Sequence, residues 1–229
     1  MRLAGTEVRV APALGSSGGI RGLLGGALDL ACISRPLAPD EQGHGLSILA
    51  LAASPFVVVV HPATRLDRIT VAELARLYAD PLATFSDGTR ARPVLRPADD
   101  SDTRILASLS PAMAQALAAC ALRPGVPVAA TDHDAARLVE SVPGAIGLST
   151  LGLVLTERRP LKVLGLDGQP PVVNGRANPL YPVRKTLYLV SRHNAPDAVQ
   201  RFVAYARSGP ALELLLRHGY LPVAAGAAT

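Results

Sequence analysis

Tryptophan is absent and aromatic residues make up only 3% of the 229 positions, so the chain lacks the stacking platforms that hold bases and single strands. Lysine is almost missing too: of 23 basic residues, only Lys162 and Lys185 are lysines. The net charge of +5 is carried by arginines scattered along the chain, without the basic and aromatic interleaving of a nucleic-acid surface, and nucleic acid is not expected as a partner. A mildly cationic surface instead suits a small anionic ligand through electrostatic steering. Two cysteines, Cys32 and Cys120, stand far apart, which excludes a disulfide framework and a CxxC metal or redox motif; two buried, reduced thiols are expected. The longest apolar run, 46–60, contains Ser47, Ser54 and Pro55 and is too short to span a bilayer. It reads as two consecutive buried strands. Residues 1–14 carry Glu7 and Arg9 where an export signal needs an unbroken apolar stretch, so the sequence as given holds no signal peptide.

What is present points to a globular α/β chain, because 49% of residues are apolar and the length suffices for one large domain or two lobes of about 100–130 residues each. Short β-rich runs alternate with amphipathic helical runs, the pattern of mainly parallel sheets covered by helices. The pattern predicts a strand over Glu7 to Pro12, a helix over Gly18 to Leu28 and a strand over Asp29 to Ser34. Thr70 and Glu73 form a capping box for a helix ending near Ala79. A strand at 92–96, helices from Ser101 and over 111–121, strands near 126–130 and 145–149, and a helix over Asp134 to Glu140 follow. Strands over Leu161 to Leu166 and Lys185 to Arg192 lead to two helices split at Gly209-Pro210.

Two segments carry chemistry. In Gly15-Ser16-Ser17-Gly18-Gly19, two hydroxyls and bare backbone N–H groups stand at the mouth of a helix, where the dipole favours an anion; a tight turn with an ordinary cap explains the same residues. In Arg96-Pro97-Ala98-Asp99-Asp100-Ser101-Asp102-Thr103-Arg104, a strand ends and a helix starts. Ser101 and Thr103 can donate hydroxyls there, and Arg96 or Arg104 offers a fork matched to two oxygens of a tetrahedral anion. The competing reading is that Asp100 or Ser101 caps the helix while the arginines pair with the neighbouring aspartates.

Catalysis and metal binding find little support. Gly15-Ser16-Ser17-Gly18 does not meet the Gly-x-Ser-x-Gly elbow. Asp132-His133-Asp134 has no second His or Cys at ligand spacing and reads as a helix-start cap, and the glycines of 18–26 lack the lysine of a phosphate-binding nucleotide loop. No enzyme activity, metal or cofactor is expected.

The run Gly-Ser-Ser-Gly-Gly-Ile-Arg, followed by an Asp-Leu-Ala strand ending in Ser34-Arg35-Pro36-Leu37, resembles the periplasmic phosphate-binding proteins of ABC importers. Phe56 to His61, Ile69 to Tyr78, Pro143 to Gly147, Leu187 to Ser191 and the tail from Phe202 to Pro222 look like further pieces of that family, so the likeness covers nearly the whole chain. The resemblance implies a two-lobed α/β fold of the type II periplasmic-binding kind, each lobe a mostly parallel sheet flanked by helices. Lobe one would comprise 1–56 and 187–229, and lobe two 57–186. It implies a tetrahedral oxyanion, phosphate first, held by both lobes and handed to a membrane permease of an ABC importer by a monomeric extracytoplasmic protein. A cytoplasmic anion-sensing module and a remnant that no longer binds are the alternatives.

Carried over by position, Ser16, Ser17 and Gly18 would hold the ligand from lobe one, and Ser101, Thr103 and an arginine from lobe two. The chain departs from the family in three places. Ser34 followed by Arg35 stands where an Asp usually accepts the proton of a protonated phosphate oxygen. Arg96 lies five residues before Ser101 rather than four, so Arg35 is a second candidate for the ligand arginine. Asp102 replaces a Gly, either facing the ligand or pointing to solvent. The family's first strand, anion loop and helix have no counterpart before Glu7, and the resemblance implies an N-terminally truncated lobe one, from a start assigned too late in the reading frame.

Overall fold

Thr70 accepts a hydrogen bond on Oγ1 from the Glu73 N–H at 3.1 Å, and the Thr70 N–H donates to the Glu73 carboxylate at 2.8 Å. The reciprocal pair satisfies two donors that a helix start leaves open, as the sequence predicts. The computed structural model describes residues 2–3 and 6–223. In chain order the early elements are β1 (Arg2–Leu3), β2 (Thr6–Glu7), α1 (Gly15–Leu24), β3 (Leu30–Ile33), β4 (Leu46–Val60), β5 (Arg68–Ile69), α2 (Val71–Ala79) and β6 (Arg92–Pro93). Then come α3 (Ser101–Ser108), α4 (Pro111–Ala121), α5 (Asp132–Ser141), β7 (Ala145–Thr150), α6 (Leu151–Thr156), β8 (Lys162–Val163) and β9 (Gly165–Leu166). The chain closes with β10 (Val172–Val173), β11 (Arg176–Ala177), β12 (Arg184–Arg192), α7 (Asp197–Ala206) and α8 (Gly209–Arg217).

The chain divides into two units, one of 1–54 with 185–229 and one of 55–184. In the first, the strand order is β3-β12-β4, with β3 and β12 antiparallel and Leu189 opposite Cys32. Helix α1 covers β3, and Ile20, Leu23, Ala31, Ile33 and Val190 form a buried cluster. Each such large side chain contributes about 1.5–3 kcal/mol by leaving water. In the second unit the order is β4-β7-β6, with β8 also on β4. Val57 to Val60 are buried on both faces, and α2 packs against α4, with Leu74, Leu77, Met113 and Leu117 buried.

Several expectations are corrected. The sheets are mixed rather than mostly parallel: β4 runs antiparallel to β7 and β8 and β12 antiparallel to β3, while β6–β7 and β5–β9 are parallel. The strand expected over Glu7 to Pro12 ends at Glu7, and 8–14 has no regular structure. Val10 is exposed there, so the segment has no buried face to hold it extended, and Pro12 removes one ladder donor. The run 46–60 is one strand, not two. Pro55 falls between Ala53, bridged to Leu221, and Phe56, paired with Thr150, where the strand changes partners. The strand expected near 126–130 is reduced to a single bridge between Val128 and Leu95. Both cysteines are free, but Cys32 is exposed and only Cys120 is buried; alternation on β3 turns Ala31 and Ile33 inward and Cys32 outward.

Candidate functional site

In the first unit, helix α1 starts three residues earlier than expected. Gly15 sits at φ +67°, a conformation that L side chains rarely adopt, and this turn lets the helix begin with Gly15-Ser16-Ser17. The residue before it, Leu14, supplies no side-chain cap, and the first turn holds no acidic residue. The open N–H groups and the dipole of this helix therefore meet no protein carboxylate from its own first turn.

Ser16 and Ser17 are each oriented by an incoming donor. The backbone N–H of Ser34 donates to Ser16 Oγ at 3.1 Å, and the two serine hydroxyl oxygens lie 3.3 Å apart. Arg35 donates from Nη2 to Ser17 Oγ at 3.1 Å. A hydroxyl that accepts from a backbone amide or a guanidinium keeps its own proton to donate, and the incoming bond polarises it for that purpose. Ser16, Ser17, Ser34 and Arg35 thus form one cluster at the mouth of α1, with Gly18 in the next position of the helix.

Arg35 is not free to follow a ligand. Its Nη1 and Nη2 donate to both carboxylate oxygens of Glu41, each at 2.7 Å, and Nη1 also donates to the Pro36 carbonyl at 2.9 Å. The side chains are 15% and 12% exposed, so the fork is largely shielded from water and rigid. The hydrogen bond from Arg35 holds the Glu41 carboxyl below the usual carboxylate range, and Glu41 in turn raises Arg35. Glu41 also accepts from the Ala38 N–H at 2.7 Å. Sequence reasoning missed Glu41, which reaches Arg35 across a loop and a 3-10 turn over Pro39–Glu41 rather than along one helix or strand face.

In the second unit, Arg96, Ser101, Asp102 and Thr103 are brought together, but around one another. Asp100 caps α3 by accepting from the Asp102 N–H at 2.8 Å. Arg96 donates to Asp100 Oδ2 at 2.8 Å and to the Ala129 carbonyl at 2.6 Å. Asp132 Oδ1 lies 3.2 Å from its Nη2 and Asp102 Oδ2 lies 3.8 Å from its Nε. Asp102 is 1% exposed: of its two possible orientations it takes the inward one, beside Arg96 rather than in solvent. Ser101 Oγ is 3.5 Å from Asp102 Oδ1. Thr103 donates its hydroxyl proton to the Pro97 carbonyl at 2.8 Å. Arg96 sits among three carboxylates and the Thr103 hydroxyl donates to Pro97; the cap at Asp100 and the ion pairs are those of the competing reading of the sequence. The triplet 132–134 divides among three partners: Asp132 faces Arg96, His133 contacts Glu157 at 2.6 Å, and Asp134 closes a capping box with Thr131.

The sequence matches the family model described as PBP superfamily domain over residues 1–209. No curated protein matches it significantly. Among solved structures, the fold is similar to that of a Clostridium perfringens protein assigned to phosphate ABC transport as a substrate-binding protein and solved with bound phosphate. The two share 16% identity at a TM-score of 0.73 over 92% of this chain and 86% of that one. A phosphate-binding protein from Stenotrophomonas maltophilia matches at 14% identity and a TM-score of 0.70, over 92% and 82% of the respective chains. An ABC-type phosphate transport receptor from Vibrio cholerae matches at 22% identity and a TM-score of 0.59, over 92% and 86%. At these identities the likeness is one of fold, a two-unit α/β architecture with mixed sheets. The family match extends over most of the sequence, and the chain belongs to the PBP superfamily.

Proposed function

We propose that the protein is a solute-binding protein that captures a tetrahedral oxyanion, phosphate first, for delivery to the permease of an ABC importer outside the cytoplasm. The observation that carries the reading is the mouth of α1, where the Ser16 and Ser17 hydroxyls each accept a donor, on a helix start with neither a side-chain cap nor an acidic first turn. Ser16, Ser17, Gly18, Ser34 and Arg35 are the proposed ligand set. Arg96, Ser101, Asp102 and Thr103 are proposed to brace the loop of the second unit, with Arg96 bonded to Asp100 and the Ala129 carbonyl and Thr103 to the Pro97 carbonyl.

Ser34 shapes the choice of anion. A hydroxyl donates as readily as it accepts, whereas a carboxylate would accept the proton of hydrogen phosphate and repel a fully ionised anion. The site therefore separates phosphate from sulfate by no more than about tenfold, roughly 1.4 kcal/mol. Calorimetry with phosphate, sulfate and molybdate tests the reading. Saturable one-to-one binding of phosphate, lost in a Ser16→Ala/Ser17→Ala double variant that still folds, supports it. Absence of binding to all three anions overturns it.

A further inference from the structure

A cavity of about 500 Å³ lies wholly within the second unit, where the chain after α2, the strand β6 and the segment after α4 meet. Three arginines line it: Arg90, Arg92 and Arg123. No carboxylate is part of the lining, and among the described residues none of the three arginines has a carboxylate within ion-pair distance. The acids nearest in sequence are occupied elsewhere. Asp80 accepts from the Leu82 N–H at 2.8 Å, and Asp87 accepts from the N–H groups of Arg65 and Thr89, each at 2.9 Å.

Each guanidinium is instead tethered by a backbone carbonyl. Arg90 donates from Nε and Nη2 to Pro81 O at 3.2 and 3.0 Å, Arg92 donates to Pro143 O at 3.1 Å, and Arg123 donates from Nη2 to Tyr78 O. A carbonyl fixes the position of a guanidinium without neutralising its charge, and each arginine has five N–H donors in all.

The remaining lining residues are apolar or glycine, with Pro81, Pro124 and Val126 among them. Leu82 and Leu122, exposed large apolar residues, each follow or precede a lining residue in the chain. A bare inorganic anion would leave these walls wet, and a neutral apolar molecule would leave three charges unanswered. The volume falls in the range of small-molecule sites, about 300–1,000 Å³, and guanidinium planes stack well on aromatic faces.

The geometry points to a second ligand site, formed by Arg90, Arg92 and Arg123 with the proline-lined wall, that takes an organic carboxylate on a flat apolar body. It shares no residue with the Ser16–Arg35 cluster and does not depend on the oxyanion reading. The test is calorimetric titration of the full chain with 2-naphthoate, with its uncharged analogue 2-naphthamide, and with 2-naphthoate in the presence of saturating inorganic phosphate. The expected result is one-to-one binding of 2-naphthoate, weaker by about tenfold or more for the amide and in the Arg90→Gln/Arg92→Gln double variant, a loss of about 1.4 kcal/mol. Arg90 and Arg92 are exposed, and circular dichroism melts are the check that the double variant folds. Val126→Glu, which adds a carboxylate to the wall, is expected to abolish binding as well. No saturable binding, equal affinity for acid and amide, equal affinity in the double variant, or displacement by phosphate would each overturn the assignment.

Discussion

The backbone N–H of Ser34 donates to the hydroxyl oxygen of Ser16 at 3.1 Å, so a single contact fastens the end of β3 to the first turn of α1. Ser16→Ala removes both the acceptor and the hydroxyl donor. The expected result is a stability loss of about 1 kcal/mol and a drop in phosphate affinity of roughly 1–3 kcal/mol, read by thermal melts and calorimetry. Ser17 is exposed, and Ser17→Ala is expected to lower affinity with little change in stability. Unchanged affinity in both variants would remove these hydroxyls from the site.

Glu41→Gln breaks a shielded bidentate pair and leaves Arg35 half-answered. At pH 7 the variant should lose roughly 1–3 kcal/mol. The folded-state pKa of Glu41 is lowered, chiefly by the hydrogen bond from Arg35, so its contribution is fully present above the unfolded value near pH ~4.3 and is lost as pH falls through the folded value. Urea melts across the acid range should therefore show parent and variant converging below about pH 4. A constant difference at all pH values would contradict the pairing.

Thr103→Val keeps the side-chain shape and deletes the proton given to Pro97. The expected cost is about 1 kcal/mol of stability, with phosphate affinity changed less than about twofold. A tenfold loss of affinity in a variant of unchanged stability would instead place this hydroxyl on the ligand.

Gly144 stands at φ +81°, and a Cβ there would lie 2.3 Å from the Arg90 carbonyl oxygen. Gly144 O also accepts from the Arg92 N–H at 2.9 Å in the β6–β7 pair. Gly144→Ala is expected to cost roughly 2–4 kcal/mol through strain and overpacking, visible as a lower midpoint in denaturant. A midpoint within error of the parent would show that β6 can shift at little cost.

The sequence was most readable where structure depends on neighbours in the chain. The Thr70–Glu73 box and the helices at 101 and 111 are local features. The start of α1 was misplaced because helix-start rules look for a polar cap, whereas here a left-handed Gly15 behind Leu14 makes the turn. The serines at 16 and 17 were legible as candidates; what orients them was not. Ser34 and Arg35 meet them only after α1 folds onto β3, and Glu41 joins through a 3-10 turn over Pro39–Glu41. At the second segment, the charges of 96–104 were visible, but Asp132 and the Ala129 carbonyl arrive from far along the chain. Those long-range partners decide that Arg96 is held by its own unit.

The pairing of β3 with β12 has a bearing on synthesis. Ile33 must wait for Tyr188, roughly 150 residues later, which at typical translation rates is about 8–30 s. Residues 55–184 form a contiguous insertion between those strands, and can collapse on the ribosome while β3 has yet to meet its mate. During that interval the nascent polypeptide displays an unmatched strand edge, and chaperone dependence should therefore concentrate on the discontinuous unit.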